Sequence, residues 1–385
     1  SNWEREFAHW APEVPVMSIA GPQHRRQWQW ELPDVPVRIA NYELLSRDRD
    51  LLQKQGQRFD LVVLDESQRI KNRSSNISAI VRELRRSRSW ALTGTPVENS
   101  ADDLVGIFEF VSPGTLNEQM KLRQMGRLAG NYVLRRTKSQ VLDDMPPCLV
   151  QDTPIELLPE QHESYRMAEE EGVLRLTDMG DAASIQHVFE LVLRLKQICN
   201  FDPATGHSAK QERLEADLEE IAASGQKAIV FSQWVATLSE LRKRLKRFGP
   251  LEYHGRIPSG QRDNVIQQFR EDPNSHVLLI SYGAGGVGLN LQFASYVFLF
   301  DRWWNPAVED QAINRAHRIG SSRAVNVERF VAQSTIEERI DQVLRDKREI
   351  FATIFSDVAP REKMGLSREE IFGLFDLRIA RDAAA

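Results

Sequence analysis

Apolar residues fall along this chain in two rhythms. Across residues 1–145, short apolar runs at 14–19, 37–40, 61–64 and 90–92 predict strands, since each is too brief for a helix and is bounded by polar turn residues. The stretch SSNISAIVRELRRS over 74–87 changes to helical spacing, with Ile77, Ile80, Val81 and Leu84 on one face behind a serine cap. Residues 101–145 keep a helical, charged pattern that closes in LRRTKSQVLDDMPP, where Pro146 and Pro147 end the helix and mark a hinge. A second helical span covers 160–222, interrupted by the turn-rich FDPATGHSAK. Alternation then resumes, with strands predicted at 227–231, 277–281, 296–300 and 324–330 and helices at 235–249 and 259–272. A long helix over 335–355 follows, then a charged tail with one short amphipathic piece, SREEIFGLFDLR. Alternation of this kind predicts an α/β fold with parallel, helix-covered sheets.

At 385 residues the chain exceeds one ordinary core, so two packed domains are expected. The divisions follow the pattern: 1–145, a hinge and helical region over 146–222, a second sheet domain over 223–355, and the tail 356–385. A hydrophobic fraction of 41% and a charged fraction of 27% are those of a globular protein, not a disordered tail. No apolar run approaches the ~20 residues of a membrane span, and no secretory signal opens the chain. Cys148 and Cys199 stand far apart and form no metal-ligand pattern, which fits a reducing, cytosolic compartment. The net charge of −5 excludes a uniformly basic nucleic-acid binder, so any such contact must come from a local groove. The first residues are Ser1-Asn2-Trp3 rather than methionine, from which a processed product or a fragment is expected.

Chemistry gathers at predicted strand tips, as it does in open α/β sheets. LVVLDE ends in Asp65 and Glu66, where one carboxylate can hold Mg²⁺ through water while the other orients an attacking water. The next strand ends in LTGTPVEN, whose Thr93, Gly94 and Thr95 form either a phosphate-sensing turn or simply a turn. In SYGAGGVGLNL, Gly283, Gly285 and Gly288 satisfy G-x-G-x-x-G, and Asp301 ends the following strand. The stretch between them is too short for the crossover helix of a dinucleotide fold, so a nicotinamide or flavin site is rejected and the glycines fit better as a loop approaching phosphate. Ser232 and Gln233 sit at another tip, in IVFSQW, as ligand contacts or as ordinary loop residues. LVLRLKQICN has an apolar helical stripe, read as core, with Cys199 a buried thiol. In DRWWNPAVEDQAINRAHRIG, residues 301–320, Gln311, Arg315 and Arg318 fall at i, i+4 and i+7, beside an apolar stripe of Val308, Ala312, Ala316 and Ile319. Half-buried arginines in that position can be aimed at phosphate oxygens.

DESQRIKN, LTGTPVEN, LRRTKSQVLDDMPP, LRLKQICN, IVFSQW, SYGAGGVGLNL, DRWWNPAVEDQAINRAHRIG and STIEERI stand in the order and spacing of the SWI/SNF-like ATPases. The chain resembles this family of helicase superfamily two, whose members translocate on double-stranded DNA, over nearly its whole length. The resemblance implies two RecA-like lobes with helical protrusions, ATP in a cleft between the lobes, and duplex DNA tracking across both. It implies that Asp65 is the Mg²⁺-associated aspartate, that Glu66 polarises the lytic water, and that Arg315 and Arg318, with Gln311 beside them, reach the phosphates. Thr93, Gly94, Thr95, Gly286 and Gly288 match nucleotide or coupling positions. Ser232, Gln233, Gly285, Asn290, Trp303 and Trp304 match positions that handle DNA or the cleft. The short first protrusion resembles prokaryotic members, which implies a cytoplasmic, nucleoid-associated protein whose DNA-bound cargo is open.

Two departures stand out. Gln68 replaces the histidine that many helicases carry in the acidic motif. No G-x-x-x-x-G-K-[ST] stretch occurs, so the expectation is a fragment of an active translocase whose first lobe is incomplete at its amino end. The rival readings are a non-hydrolysing DNA- or protein-binding module and a strand-separating helicase.

Overall fold

The computed structural model describes residues 2–54, 56–93, 101–134, 145–285, 289–304, 306–318, 321, 323–354, 371 and 373–375. The chain forms two compact units, one of Ser1–Arg135 with Phe351–Lys363 and one of Arg136–Ile350 with Met364–Ala385. Among the described residues no helix is long and apolar enough to cross a membrane.

In the first unit, β1 (Val16–Ser18) pairs in parallel with β2 (Val37–Ile39), and β3 (Arg58–Leu64) pairs in parallel with β4 (Arg85–Ala91). All four predicted strands form, as two separate pairs. β4 begins well before its apolar part, and the helix predicted over 74–87 is correspondingly shorter, Asn76–Glu83. Its start is as expected: Ser75 Oγ accepts from the Ser78 N–H at 3.2 Å. Its end is set from outside. Leu84 turns to extended backbone, and Arg86 in β4 sends Nη1 back to the carbonyls of Leu84 at 2.8 Å and Arg82 at 3.2 Å. The same guanidinium lies 4.0 Å over the Phe110 ring and donates to the Phe110 carbonyl. One arginine thus satisfies orphan carbonyls that would otherwise favour another turn of helix. Ile19, Trp30, Ile70, Val81 and Phe110 form the centre of the core beneath these strands.

The second unit carries one six-stranded parallel sheet in the order β5-β10-β9-β6-β8-β7. Its strands are β5 (Cys148–Ile155), β6 (Ala228–Ser232), β7 (Leu251–Tyr253), β8 (Val277–Ser281), β9 (Tyr296–Leu299) and β10 (Val325–Ala332). The four inner strands are the four predicted ones, and every residue of β6 and β8 is buried. Both edge strands went unpredicted. β5 lies in the region read as hinge and helix, and it corrects that reading. Its apolar run, Cys148-Leu149-Val150, directly follows the two prolines and gives way to Gln151, Asp152, Thr153 and Pro154, whose missing N–H suits an edge strand, so the segment reads as hinge. The helical span is confirmed as Pro159–Met179, Ile185–Asn200 and Ala209–Ala223, with the break where FDPATGHSAK falls. The closing helix is Ile336–Ile354, against which Ile371, Leu374 and Phe375 of the amphipathic tail piece pack.

Candidate functional site

On the first unit, the acidic pair follows directly from β3. The pairing with β4 continues past the strands: the Leu92 N–H donates to the Leu64 carbonyl at 2.7 Å, and the Ser67 N–H donates to the Leu92 carbonyl at 2.9 Å. Between these two bonds Asp65 and Glu66 form a tight turn, and Glu66 takes left-handed backbone at φ 50, ψ 50. Such backbone in a non-glycine residue is costly and persists where neighbours over-determine it, often at functional sites. Asp65 is exposed; its Oδ1 accepts the Glu66 N–H at 3.0 Å and its Oδ2 accepts the Trp3 indole N–H at 2.9 Å. The Tyr42 hydroxyl donates to the Asp65 carbonyl at 2.8 Å. Burial raises the Tyr42 phenol well above its usual range, with Arg69 opposing and the Asp65 and Glu66 carboxylates adding, so it stays a donor.

A second chain of bonds fixes Glu66. Gln68 Nε2 donates to Glu66 Oε2 at 2.8 Å, and Thr93 Oγ1 donates to Gln68 Oε1 at 2.8 Å. A carboxylate only accepts, so the amide must face it with nitrogen, which leaves the amide oxygen for the threonine. Gln68 therefore links the tip of β3 to the tip of β4. Gly94 and Thr95 lie outside the described residues.

On the second unit, the helix Pro306–Ala316 buries Ala312, Ile313 and Ala316 against the sheet and keeps Gln311 and Arg315 half-buried beside them. Arg318 was expected on the same helix, but the helix stops at Ala316 and Arg318 stands half-buried in the turn beyond. The stop has a physical cause. The Arg315 carbonyl accepts the Leu291 N–H at 3.0 Å, and Ser321 Oγ donates to the Ala316 carbonyl at 3.0 Å. Both carbonyls are thus satisfied from outside the helix. His317 Nε2 bonds the Pro146 carbonyl at 2.8 Å, and the Val325 N–H donates to the Pro147 carbonyl at 3.0 Å. Ile319 lies outside the described residues.

The loop leading into this helix holds a buried polar network that sequence reasoning missed. Asp301 is fully buried, accepts from Ser232 Oγ and the Gln233 N–H (2.9 Å for the latter), and takes Asn200 Nδ2 at 3.1 Å. Ser232 is itself buried, so its hydroxyl serves the interior. Lys210 Nζ reaches Glu337 Oε1 at 2.7 Å and the Phe300 carbonyl at 3.0 Å. Lys196 Nζ donates to the Arg302 carbonyl at 2.7 Å and lies 4.8 Å from the Trp304 ring and 5.5 Å from that of Trp234. Burial pushes the Lys196 ammonium down and the Asp301 carboxyl up, each opposed by the other's charge. One cue was available: Lys196 sits inside the apolar stripe of its helix, beside Leu195, where a lysine needs an internal partner.

The tryptophans are half-buried and engaged. Trp303 packs 5.4 Å from the Tyr282 ring, and Trp304 stacks on Phe189 at 4.9 Å. Gln233 and Asn290 are also half-buried, and Gly285 ends the short helix Tyr282–Gly285. Gly286 and Gly288 lie outside the described residues. Cys199 is fully buried, and burial raises its thiol, as expected for a core residue. Trp3 and Tyr42 reach Asp65 from 62 and 23 residues away, and no local pattern marks them.

Comparison with known proteins places a family boundary near residue 205, not at the 135/136 division of the two compact units. Residues 1–204 match the SNF2-related domain and residues 209–320 the helicase conserved C-terminal domain. An uncharacterized ATP-dependent helicase of Mycoplasma pneumoniae is 35% identical, over 97% of this chain and 38% of its own length. A putative ATP-dependent helicase/translocase of Bacillus subtilis is 31% identical, over 98% of this chain and 44% of its own. The chain thus spans less than half the length of these curated relatives. Among solved structures, the Sulfolobus solfataricus SWI2/SNF2 ATPase core domain matches with a TM-score of 0.50 and 28% identity, over 98% of this chain and 82% of that one. The fold is accordingly the α/β architecture of SNF2 ATPase cores, with RecA-like lobes. The first family match alone takes in more than half of the 385 residues, and the chain therefore belongs to the SNF2-related family.

Proposed function

We propose that the protein hydrolyses ATP to move along double-stranded DNA and to displace or remodel what is bound there. The observation that carries the ATPase reading is the Thr93–Gln68–Glu66 chain at the end of β3. It holds one carboxylate in a defined direction while the neighbouring Asp65 stays exposed. That division suits two roles: Asp65 as the carboxylate that holds Mg²⁺ through water, and Glu66 as the group that orients the attacking water.

The donor set fits magnesium. Among the described residues no cluster of three or more His, Cys, Asp or Glu forms a cage. Mg²⁺ bound with a nucleotide keeps most of its waters and needs only one or two carboxylates besides the phosphates. When bound, the ion neutralises charge on the phosphate oxygens. Arg315 and Arg318 supply planar cations suited to the transferring phosphoryl group, with Gln311 a neighbouring amide. Gln68 keeps Glu66 aimed, and through Thr93 ties that aim to the tip of β4, a connection able to pass a change at the nucleotide to the rest of the lobe.

Duplex DNA as the track rests on the family resemblance, and for this protein it is a proposal. The test uses the full-length natural protein. ATP turnover should rise when duplex DNA is added; equal rates with and without duplex would refute the DNA-dependent reading and favour a binding module. Glu66→Gln should retain nucleotide binding while losing turnover, and Arg315→Ala and Arg318→Ala should each lower the rate by about 10³–10⁵, the scale of arginine fingers. Parting of a forked substrate would assign strand separation instead.

A further inference from the structure

We infer that Arg302, clamped between Glu309 and Asp341, is a positioning residue that sets the direction of the Arg315-bearing helix. The inference rests on the ATPase reading above and deepens it. Arg302 is 3% exposed. Its Nε donates to Glu309 Oε1 at 2.8 Å and its Nη2 to Glu309 Oε2 at 3.0 Å, a two-pronged fork. Its Nη1 donates to Asp341 Oδ1 at 2.5 Å. Glu309 Oε1 also accepts the Trp303 N–H at 2.9 Å, and Asp341 Oδ2 accepts Arg345 Nε at 2.6 Å.

Three elements therefore share one buried guanidinium: the loop after β9, the first turn of the helix Pro306–Ala316, and the helix Ile336–Ile354. Burial works against the Arg302 charge, and Glu309 and Asp341 more than offset it. Glu309 lies six residues before Arg315 on the same helix, about 9 Å along its axis at 1.5 Å per residue. What holds Glu309 thereby holds the rigid rod that carries Arg315.

Stability alone does not explain such a cluster. Desolvating each ion costs several kcal/mol, and apolar groups of similar volume often serve the fold as well or better. A planar fork supplies direction instead, because two parallel hydrogen bonds restrict rotation as well as distance. The inner face of the helix needs that help. Ala312 and Ala316 present little relief to the sheet beside the larger Ile313, and the fork adds a fixed direction that apolar contact does not supply. A displacement of about 1 Å at a reacting group costs on the order of 10² in rate.

The test is steady-state ATPase of the full-length protein with saturating duplex DNA. Glu309→Gln is isosteric, keeps the oxygen facing Trp303 and removes one prong and one charge. It should lower kcat by about 10²-fold, the cost of such a displacement, with the KM for ATP within twofold; the assay is run well below its melting temperature, which falls because a buried pair is broken. A double-mutant cycle separates positioning from general weakening. In an Arg315→Ala background, Glu309→Gln should add no further loss; losses that multiply would overturn the inference. A variant combining Arg302→Met, Glu309→Met and Asp341→Leu removes the three clamp charges while keeping volume, and leaves Arg345 its pairing with Asp152. It should fold with unchanged melting temperature and share the kcat loss, and a wild-type kcat in it would likewise overturn the clamp. Arg315→Ala and Glu66→Gln read the ATPase assignment itself. If those two stay active, that assignment fails; if they lose activity while the clamp variants keep it, only the clamp fails.

Discussion

Arg26 and Asp48 show how much of the first unit hangs on single charges. Arg26 Nε lies 3.1 and 2.9 Å from the two Asp48 oxygens, Nη2 donates at 2.6 Å, and the Trp30 indole adds a bond at 3.0 Å. The pair ties the helix Gln23–Glu31 to the start of the helix Arg49–Lys54, with Asp48 fully buried. Burial alone would raise the Asp48 carboxyl, but the bonds from Arg26 and Trp30 outweigh it and hold it below the ordinary value of 3.8. A folded value below the unfolded one means that this stabilisation is complete above pH 3.8 and is lost as the pH falls through the lower, folded value. Asp48→Ala should cost about 3–5 kcal/mol, the scale for breaking a buried pair, because it strands the Arg26 charge. Urea unfolding between pH 7 and pH 3 checks both points. The variant should be weaker at pH 7 and should lose stability less steeply in acid, and parallel acid slopes would count against the assignment.

At the scale of elements, the acidic turn is positioned by how closely a helix approaches it. A Cβ built on Gly106, in the helix Ala101–Val111, would fall far inside contact distance of the Lys71 backbone carbonyl, just after the short turn Ser67–Ile70. Backbone does not yield as a side chain does, so Gly106→Ala must push the helix off the segment that follows Asp65 and Glu66. The expected cost is about 1–3 kcal/mol, the usual penalty of overpacking, with a fall in ATP turnover. Gly172 makes the contrast. There an added Cβ meets only the Leu191 side chain, which can turn aside. Gly172→Ala should lose less stability and keep full turnover, and thermal melts run beside ATPase assays would show whether the two glycines differ in this way.

For the whole molecule, the net charge of −5 means that any grip on duplex DNA must be local and directed at phosphates. Affinity should therefore fall by orders of magnitude, about 10³–10⁵ for six to ten phosphate contacts, as salt rises from about 50 to 200 mM, and should not depend on base sequence. Fluorescence anisotropy with two unrelated duplexes tests this; salt-insensitive or sequence-selective binding would refute phosphate-directed contact. By itself the sequence determined the α/β class, the four inner strands of the second sheet and the tip of β3 as the place of Asp65 and Glu66. β6 and β8, buried on both faces, are apolar almost throughout, β10 still begins and ends on apolar residues, and a strand ending in carboxylates is visible without any partner. Only the tertiary structure decided the rest. β5 is a strand because β10, 177 residues further along the chain, pairs with it. The helix Asn76–Glu83 ends where Arg86 takes its carbonyls, and the helix Pro306–Ala316 ends where Leu291 takes the Arg315 carbonyl. Arg302 and Lys210 carry no mark of burial in the sequence, and Lys196 only its place in an apolar stripe. They are interior residues because their counter-charges and carbonyl partners arrive from distant segments, and the cost of burying an ion is met only after folding has brought those partners together.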